Sequence, residues 1–563
     1  MKNFRIVYSI FFIASIAVVL NTCDLFQESL VAYLHEEPNQ EQPAGEDGPP
    51  DAEQPPEEDE GPYVYVDVIN GDDTNNSGWS EAEPVKTLGR ALDIWLSPEG
   101  AAVWVEKGSD EAKIMLLEDL KRPNYTEAVS IANNSYFDFP KLLDPRPGIT
   151  ALTLAGAGGG KDIDNGGESL YRVLNINNAG TTITLKNLTV KGGHLTVYDG
   201  GGIRLLAGTL IAKDLVISGN QAPTAGGGVY MNGGQFTMTG GEIRNNTATN
   251  AGGKGAGVYV NGGSFKMESG VIWQNTADLA GGGVCVAEYG AFTMTGGTIK
   301  KNTSGNDGGG VYIFGSSAQP GKASITGGLI GASSDGEGNT AKYGGGVYVG
   351  NYGYLELGDL LNFNEPLGYE YPYPYIQHNS ASGASPSTGG GLVINGVDAQ
   401  TLFYHGTIGW NRAADQGGGI LIVNGTLDMQ GGTVKGNDAS IGKGIMVEKL
   451  STTITSPANK FIMRGYARVL EPDNPVYLDG SASPKRRITI GGSGFHGLDE
   501  SDGIDIANVT AAGYGSGDTI LENDTGAFLN QLTTNDNYKR FNVNGHGSIS
   551  TVGISLDPDG KLP

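Results

Sequence analysis

The sequence predicts an all-β fold: a right-handed parallel β-helix with three strands and about 27 residues per coil, closed at its start by an N-terminal cap containing one short helix. Three observations lead there. A glycine-rich element recurs through the middle of the chain at a nearly constant step. A second apolar block recurs between its copies, and an asparagine closes every unit in the same register.

The chain opens with Lys2 and Arg5, followed by an apolar stretch from Ile6 to Leu20 that only Ser9 and Ser15 interrupt. A basic head and an apolar run of this length read as a secretory signal over residues 1–22, too short for a membrane span. The run stops at Leu20-Asn21-Thr22-Cys23, which resembles the lipobox of bacterial lipoproteins. Asn21 and Thr22 are bulkier than the small residues usual there. The resemblance implies cleavage before Cys23, lipidation of that residue and attachment to a membrane through the lipid. Several acyl chains at ~0.8 kcal/mol per buried CH₂ anchor a protein stably where one does not. The expected location is the outer membrane or cell surface, with the periplasmic face left open.

Residues 23–61 are expected to form an acidic tether. Between Glu36 and Glu60 stand eleven acids and six prolines, with no Lys or Arg. Such a composition cannot bury enough apolar surface to offset its ordering entropy. Twenty-five extended residues reach about 75 Å, enough to lift a body off a membrane.

The N-terminal cap is placed at 62–149. Leu88, Ala91, Leu92 and Trp95 recur at helical spacing, so one amphipathic helix is expected to cover the open end of the core. Asp73-Thr-Asn75-Asn-Ser77-Gly78 begins like a calcium loop, but Pro84 stands where a bidentate acid is needed, and a cap turn is the preferred reading.

The repeats occupy 150–450. Gly226-Gly227-Gly228-Val229 is matched from Gly200 to Ile445, and the apolar residues that follow the glycines are 26, 29, 26, 27, 36, 45, 28 and 25 positions apart. The two long steps are insertions. Between the glycines lies a block such as Phe236-Thr-Met238 or Phe292-Thr-Met294. Each unit closes on Asn220, Asn246, Asn275, Asn302, Asn339, Asn379, Asn411 or Asn437, followed two positions later by Ala or Ser. The runs between turns are too short for a helix, and their period of two makes them strands. Stacked coils put Val229/Met231, Val258/Val260 and their equivalents inward, while the asparagines suit a left-handed turn and an amide ladder. Residues 451–563 lose the repeat and are assigned to irregular β segments and the other cap.

The glycine and Asn elements together resemble the GGA[IV] and FxxN repeats of polymorphic outer-membrane proteins, within the pectate-lyase-like β-helix class. Secreted members of that family often end in a membrane barrel. Asp557–Pro563 does not resemble a terminal aromatic strand, so the lipid is expected to take that role.

Composition removes several functions. A net charge of −26 opposes binding to nucleic-acid phosphate, which depends on Lys and Arg. Two cysteines, Cys23 and Cys285, make no disulfide framework and no zinc site. Six histidines lack metal-ligand spacing, so no metal, cofactor or catalytic residue is assigned. Gly545-His546-Gly547 copies a tripeptide of polygalacturonase-type hydrolases without that family's paired aspartates.

The middle positions of the glycine-led strands offer something else. Tyr230, Tyr259, Tyr312 and Tyr348 alternate away from the core and are the candidate ligand-binding residues, a row suited to a glycan or to a host or matrix protein. The competing reading is that tyrosine merely favours strands and is covered by loops such as Tyr369–Tyr375. Cys285 stands in the same row and is expected to be an exposed thiol. Anchor, spacer and long repetitive face suggest a non-enzymatic binding or adhesion role. The alternative is a polysaccharide lyase or glycoside hydrolase with a site built by the insertions at 315–343 or 350–390.

Overall fold

The structure, a computed structural model, describes residues 62–448 apart from 101, 103–110, 122–134, 145, 147, 168–169 and 360–373, and eight short segments between 460 and 555. It is a parallel β-helix of the right-handed type with three sheets and about 29 residues per turn. The insertions lift the mean above the basic step of the repeat. Among the described residues every strand ladder is parallel until Phe541–Asn544, which pairs antiparallel with Ile554–Ser555.

Each coil contributes to the sheets in a fixed order. The glycine-led strands, Val229–Met231, Val258–Val260, Val284–Val286, Val311–Ile313 and Val347–Val349, pair residue for residue. After a tight turn come the strands of the Phe block, such as Gln235–Met238, Gly263–Met267 and Gly290–Met294, in the same sheet. A second sheet collects Gly241–Arg244, Val271–Trp273 and Thr298–Lys300. The third is made of two-residue strands such as Thr247–Ala248 and Thr276–Ala277.

This stacking turns every inward position into a column. Val229, Val258, Val284, Val311 and Val347 are wholly buried in one. Phe236, Phe265 and Phe292 stack in another with ring centroids 4.9 and 5.2 Å apart, close to the inter-strand spacing of ~4.8 Å.

The asparagine column is the polar counterpart. The backbone N–H and the Nδ2 of Asn275 both donate to Asn302 Oδ1, at 3.0 and 2.9 Å, and its Nδ2 also donates to Ile243 O at 2.8 Å. Asn302 repeats the pattern onto Asn339 and Ile272. The carboxamides from Asn220 to Asn437 are buried, so this network supplies bonds that water cannot. The sequence placed the left-handed residue at the asparagine itself; the structure places it one position earlier, at Asn245, Gln274, Lys301, His378 and Trp410. That residue turns the corner, which aims the following carboxamide into the core.

The triple glycine answers a packing demand. At Gly226 the backbone is left-handed, with φ +63°. A Cβ on Gly227 would lie 2.4 Å from Thr247 O in the third sheet, and one on Gly228 would lie 2.6 Å from Gly257 O of the next coil. Glycine lets the two sheets and successive coils close this far, although the middle position also accepts Ala256 and Lys443 in other coils.

At the N-terminal end, helix α1 (Leu88–Trp95) starts from a Thr87 cap whose side chain accepts from Arg90 N. Its apolar face, with Leu88, Ala91, Leu92 and Trp95, joins the core beside Val64–Val66 and Glu111–Leu116. At the other end the glycine signature is gone, yet Val476–Asp479 pairs with Ile445–Val447 and in turn with Ala507–Ala512.

Candidate functional site

The four tyrosines do leave the strands on the side away from the core, in register: Tyr230 with Tyr259, and Tyr312 with Tyr348. Tyr230 and Tyr259 stack at 5.7 Å with planes 2° apart. Of the open and covered readings of the row, burial favours the covered one, because the row is half-buried and Tyr348 is only 8% exposed. Burial pushes the Tyr259, Tyr312 and Tyr348 phenols well above their ordinary range. Phe314 stacks on Tyr312 at 5.1 Å, and Asn395 Nδ2 donates to Tyr348 Oη at 3.0 Å. Further along, Tyr348 joins Val393, Leu421 and Met446 in a small apolar cluster outside the main core. The row thus buries much of its ring area within the protein.

Cys285 corrects an expectation. It is fully buried, not an exposed thiol. Tyr259 and Tyr312 flank it on the neighbouring rungs, and Lys254 reaches across to lie 4.8 Å from the Phe314 ring centre. Burial raises the thiol, which disfavours the reactive thiolate. Asp307 stands beside the same row, and burial lifts its carboxyl to about 6 against the pull of Asn306 and Lys254.

The Asp72–Asp73 loop spends its carboxylates internally. Asp72 Oδ1 accepts from Thr74 N at 2.7 Å and from Asn75 N, while Asp73 Oδ1 accepts from Lys86 N at 2.7 Å and from Thr87 N. These bonds tie the turn to the start of α1. Among the described residues no three His, Cys, Asp or Glu side chains gather as a metal site, and no helix is long and apolar enough to cross a membrane. Cys23, His546 and most of Tyr369–Tyr375 lie outside the described residues.

The open site is on the Phe-block strands instead. A groove of about 640 Å³ crosses four successive rungs on their outward face. Its floor has two columns, Ala291, Lys322, Tyr354 and Gln400 in one and Thr293, Ser324 and Glu356 in the other. Ser316, Ser317, Tyr352 and Asp398 rise along one side. The loops that carry them are knitted together: Gly315 N donates to Asn351 O at 2.8 Å, Tyr352 N to Val397 O at 2.7 Å, and Val397 N to Asn351 Oδ1 at 2.8 Å. On the floor, Tyr354 Oη donates to Glu356 Oε1 at 2.7 Å. Burial and the Glu356 carboxylate both push that phenol upward.

Sequence reasoning missed these floor residues. Outward positions of the Phe block change from coil to coil, so no repeat marks them. The signal that was present is the pair of long steps, 36 and 45 residues, that begin beside the groove.

Comparison with known proteins finds no match: no protein-family model, curated protein or solved structure matches the chain. Fold and site define a class, a repetitive parallel β-solenoid with an open, mixed polar and aromatic groove on one face.

Proposed function

We propose that this chain is a lipid-anchored β-helix protein that binds ligands at a membrane surface, in the manner of an adhesin. In this reading Cys23 carries the lipid, residues 23–61 hold the body away from the outer membrane or cell surface, and the solenoid presents its groove to a glycan or to a host or matrix protein. The similarity of the repeats to those of polymorphic outer-membrane proteins favours the same role. The observation that carries the reading is the groove, since a preformed concavity with aromatic faces and convergent polar groups is the usual form of a binding site. The tyrosine row, in which Tyr230 stacks on Tyr259 and Tyr312 tilts against Tyr348, runs along the neighbouring strands of the same coils.

Two measurements test it. Mass analysis of the mature N-terminus should find an acylated Cys23, and Cys23→Ser should release the protein from the membrane. Arrays of glycans and matrix proteins should return a ligand whose signal falls when groove residues are replaced. Release of oligosaccharide products from a polysaccharide would replace this reading with the lyase or hydrolase alternative. A soluble, unacylated mature chain would remove the anchor.

A further inference from the structure

We infer that the groove takes a stretch of neutral glycan, and not a charged polymer or an extended peptide. The inference rests on reading the groove as the binding site, and four observations carry it.

The first is charge. The groove holds one cation, Lys322, and two carboxylates, Glu356 and Asp398, in a chain of net charge −26. A polyanion gains one attractive contact there and meets two repulsive ones, in a field that is already unfavourable.

The second is the hydrogen-bonding set. Ser316, Ser317, Ser324, Thr293 and Gln400 each donate and accept, with an ammonium and two carboxylates among them. Sugar hydroxyls also donate and accept, so such a mixture satisfies them better than a groove of one polarity does. Rungs ~4.8 Å apart repeat this opportunity at about the scale of a sugar ring.

The third is the aromatic face. Tyr354 is half-buried, and its hydroxyl is held by Glu356 at 2.7 Å. Its ring is therefore oriented before ligand arrives, which lowers the entropy cost of stacking. The bonds among Gly315, Asn351, Tyr352 and Val397 fix the wall in the same way.

The fourth concerns peptides. An extended peptide gains affinity by adding a strand to a free sheet edge. The floor offers no such edge, because Gly321–Ile325 is paired on both sides, to Gly290–Met294 and to Gly353–Leu357.

The test is calorimetric titration of the mature, full-length chain in detergent. Probes are hexamers of glucose, mannose, galactose and N-acetylglucosamine, a hexamer of galacturonate with and without calcium, and a basic decapeptide. At least one neutral hexamer should bind without calcium. Tyr354→Ala and Gln400→Ala should each weaken it tenfold or more. Tyr354→Phe, which keeps the ring, should lose less. Tyr289→Ala, on an exposed turn that does not line the groove, should change Kd less than twofold. Thermal melts of each variant verify folding. Neutral binding that ignores Tyr354→Ala overturns the inference, as does binding of galacturonate or peptide alone. In those cases a surviving array signal leaves the broader binding role intact, whereas silence on every array removes both.

Discussion

Replacing Asn302 by alanine isolates what the asparagine column contributes. Four hydrogen bonds go at once. Asn302 Oδ1 accepts from the backbone N and the Nδ2 of Asn275, and its own Nδ2 donates to Ile272 O and Asn339 Oδ1. Asn275 Nδ2 keeps Ile243 O, and Asn339 Oδ1 keeps the backbone N–H of residue 302. The Asn275 backbone N–H loses its acceptor inside a buried column. A net value of about 1 kcal/mol for each of the three bonds whose partners keep another contact or are side chains, with about 1–3 kcal/mol for the stranded Asn275 N–H in place of the fourth, gives a cost of about 4–6 kcal/mol. Urea unfolding followed by circular dichroism measures it. Because a solenoid is only approximately two-state, amide exchange should also locate the loss in the coils that carry Asn275, Asn302 and Asn339. Asn261→Ala, which removes a long surface bond of 3.4 Å to Asn232 and the bond of Asn261 to the Tyr230 phenol, serves as the surface comparison and should cost no more than about 1–2 kcal/mol. A cost for Asn302→Ala below about 1 kcal/mol, or one spread evenly along the chain, would refute the reasoning.

Three further outcomes follow from buried groups. Thr401 is fully buried and its hydroxyl has no hydrogen-bond partner, so Thr401→Val should stabilise by about 1 kcal/mol; a lower melting temperature would contradict this. In a Cys23→Ser chain, the buried Cys285 should ignore a thiol reagent until the protein is unfolded, and prompt labelling at neutral pH would place it at the surface after all. Asp307 has a folded pKa of about 6 against an ordinary 3.8, so the folded state holds a proton that the unfolded state releases. Its effect on stability is most favourable below about 4 and declines as pH rises through about 6. Two units are about 3 kcal/mol at full strength, reduced here to about 1–2 by partial exposure. Asp307→Asn should remove that decline and stabilise by this amount at pH 7, and an unchanged pH profile would show that Asp307 is not the titrating group.

Much of the fold was legible because a stacked coil forces the same demand on every unit. Wherever a Val must fill the column below Val229, or a carboxamide must meet Asn246, the sequence repeats itself. The first and third glycines are readable for the same reason, since the first is left-handed and a Cβ on Gly228 would lie 2.6 Å from Gly257 O of the next coil. Outward positions obey no such rule. Alternation gave the direction of Tyr312 and Cys285 but not their cover, which comes from Phe314, close after Tyr312 in the chain, and from Lys254, which belongs to an earlier coil. The groove was less legible still. Ala291, Lys322, Tyr354 and Gln400 occupy equivalent positions yet share no chemistry, so only the neighbouring insertions hinted that this face differs. Past residue 450 the repeated glycine-led element is lost while the pairing of Val476, Val509 and Val543 persists. There the strand pattern alone holds the register, and it is a weaker signal.

The claim beneath all of this is that equivalent residues lie one rung apart whatever their separation in sequence. Spin labels at exposed positions of the Phe-block strands test it directly. Ser264 and Lys322 are two rungs apart, Ser264 and Gln400 four, and Gln235 and Gln400 five. At ~4.8 Å per rung, backbone separations of about 10, 19 and 24 Å are expected, rising linearly with rung number. Distances that instead scatter, or that grow with the 58, 136 and 165 residues between the labels, would contradict the stacked coil itself.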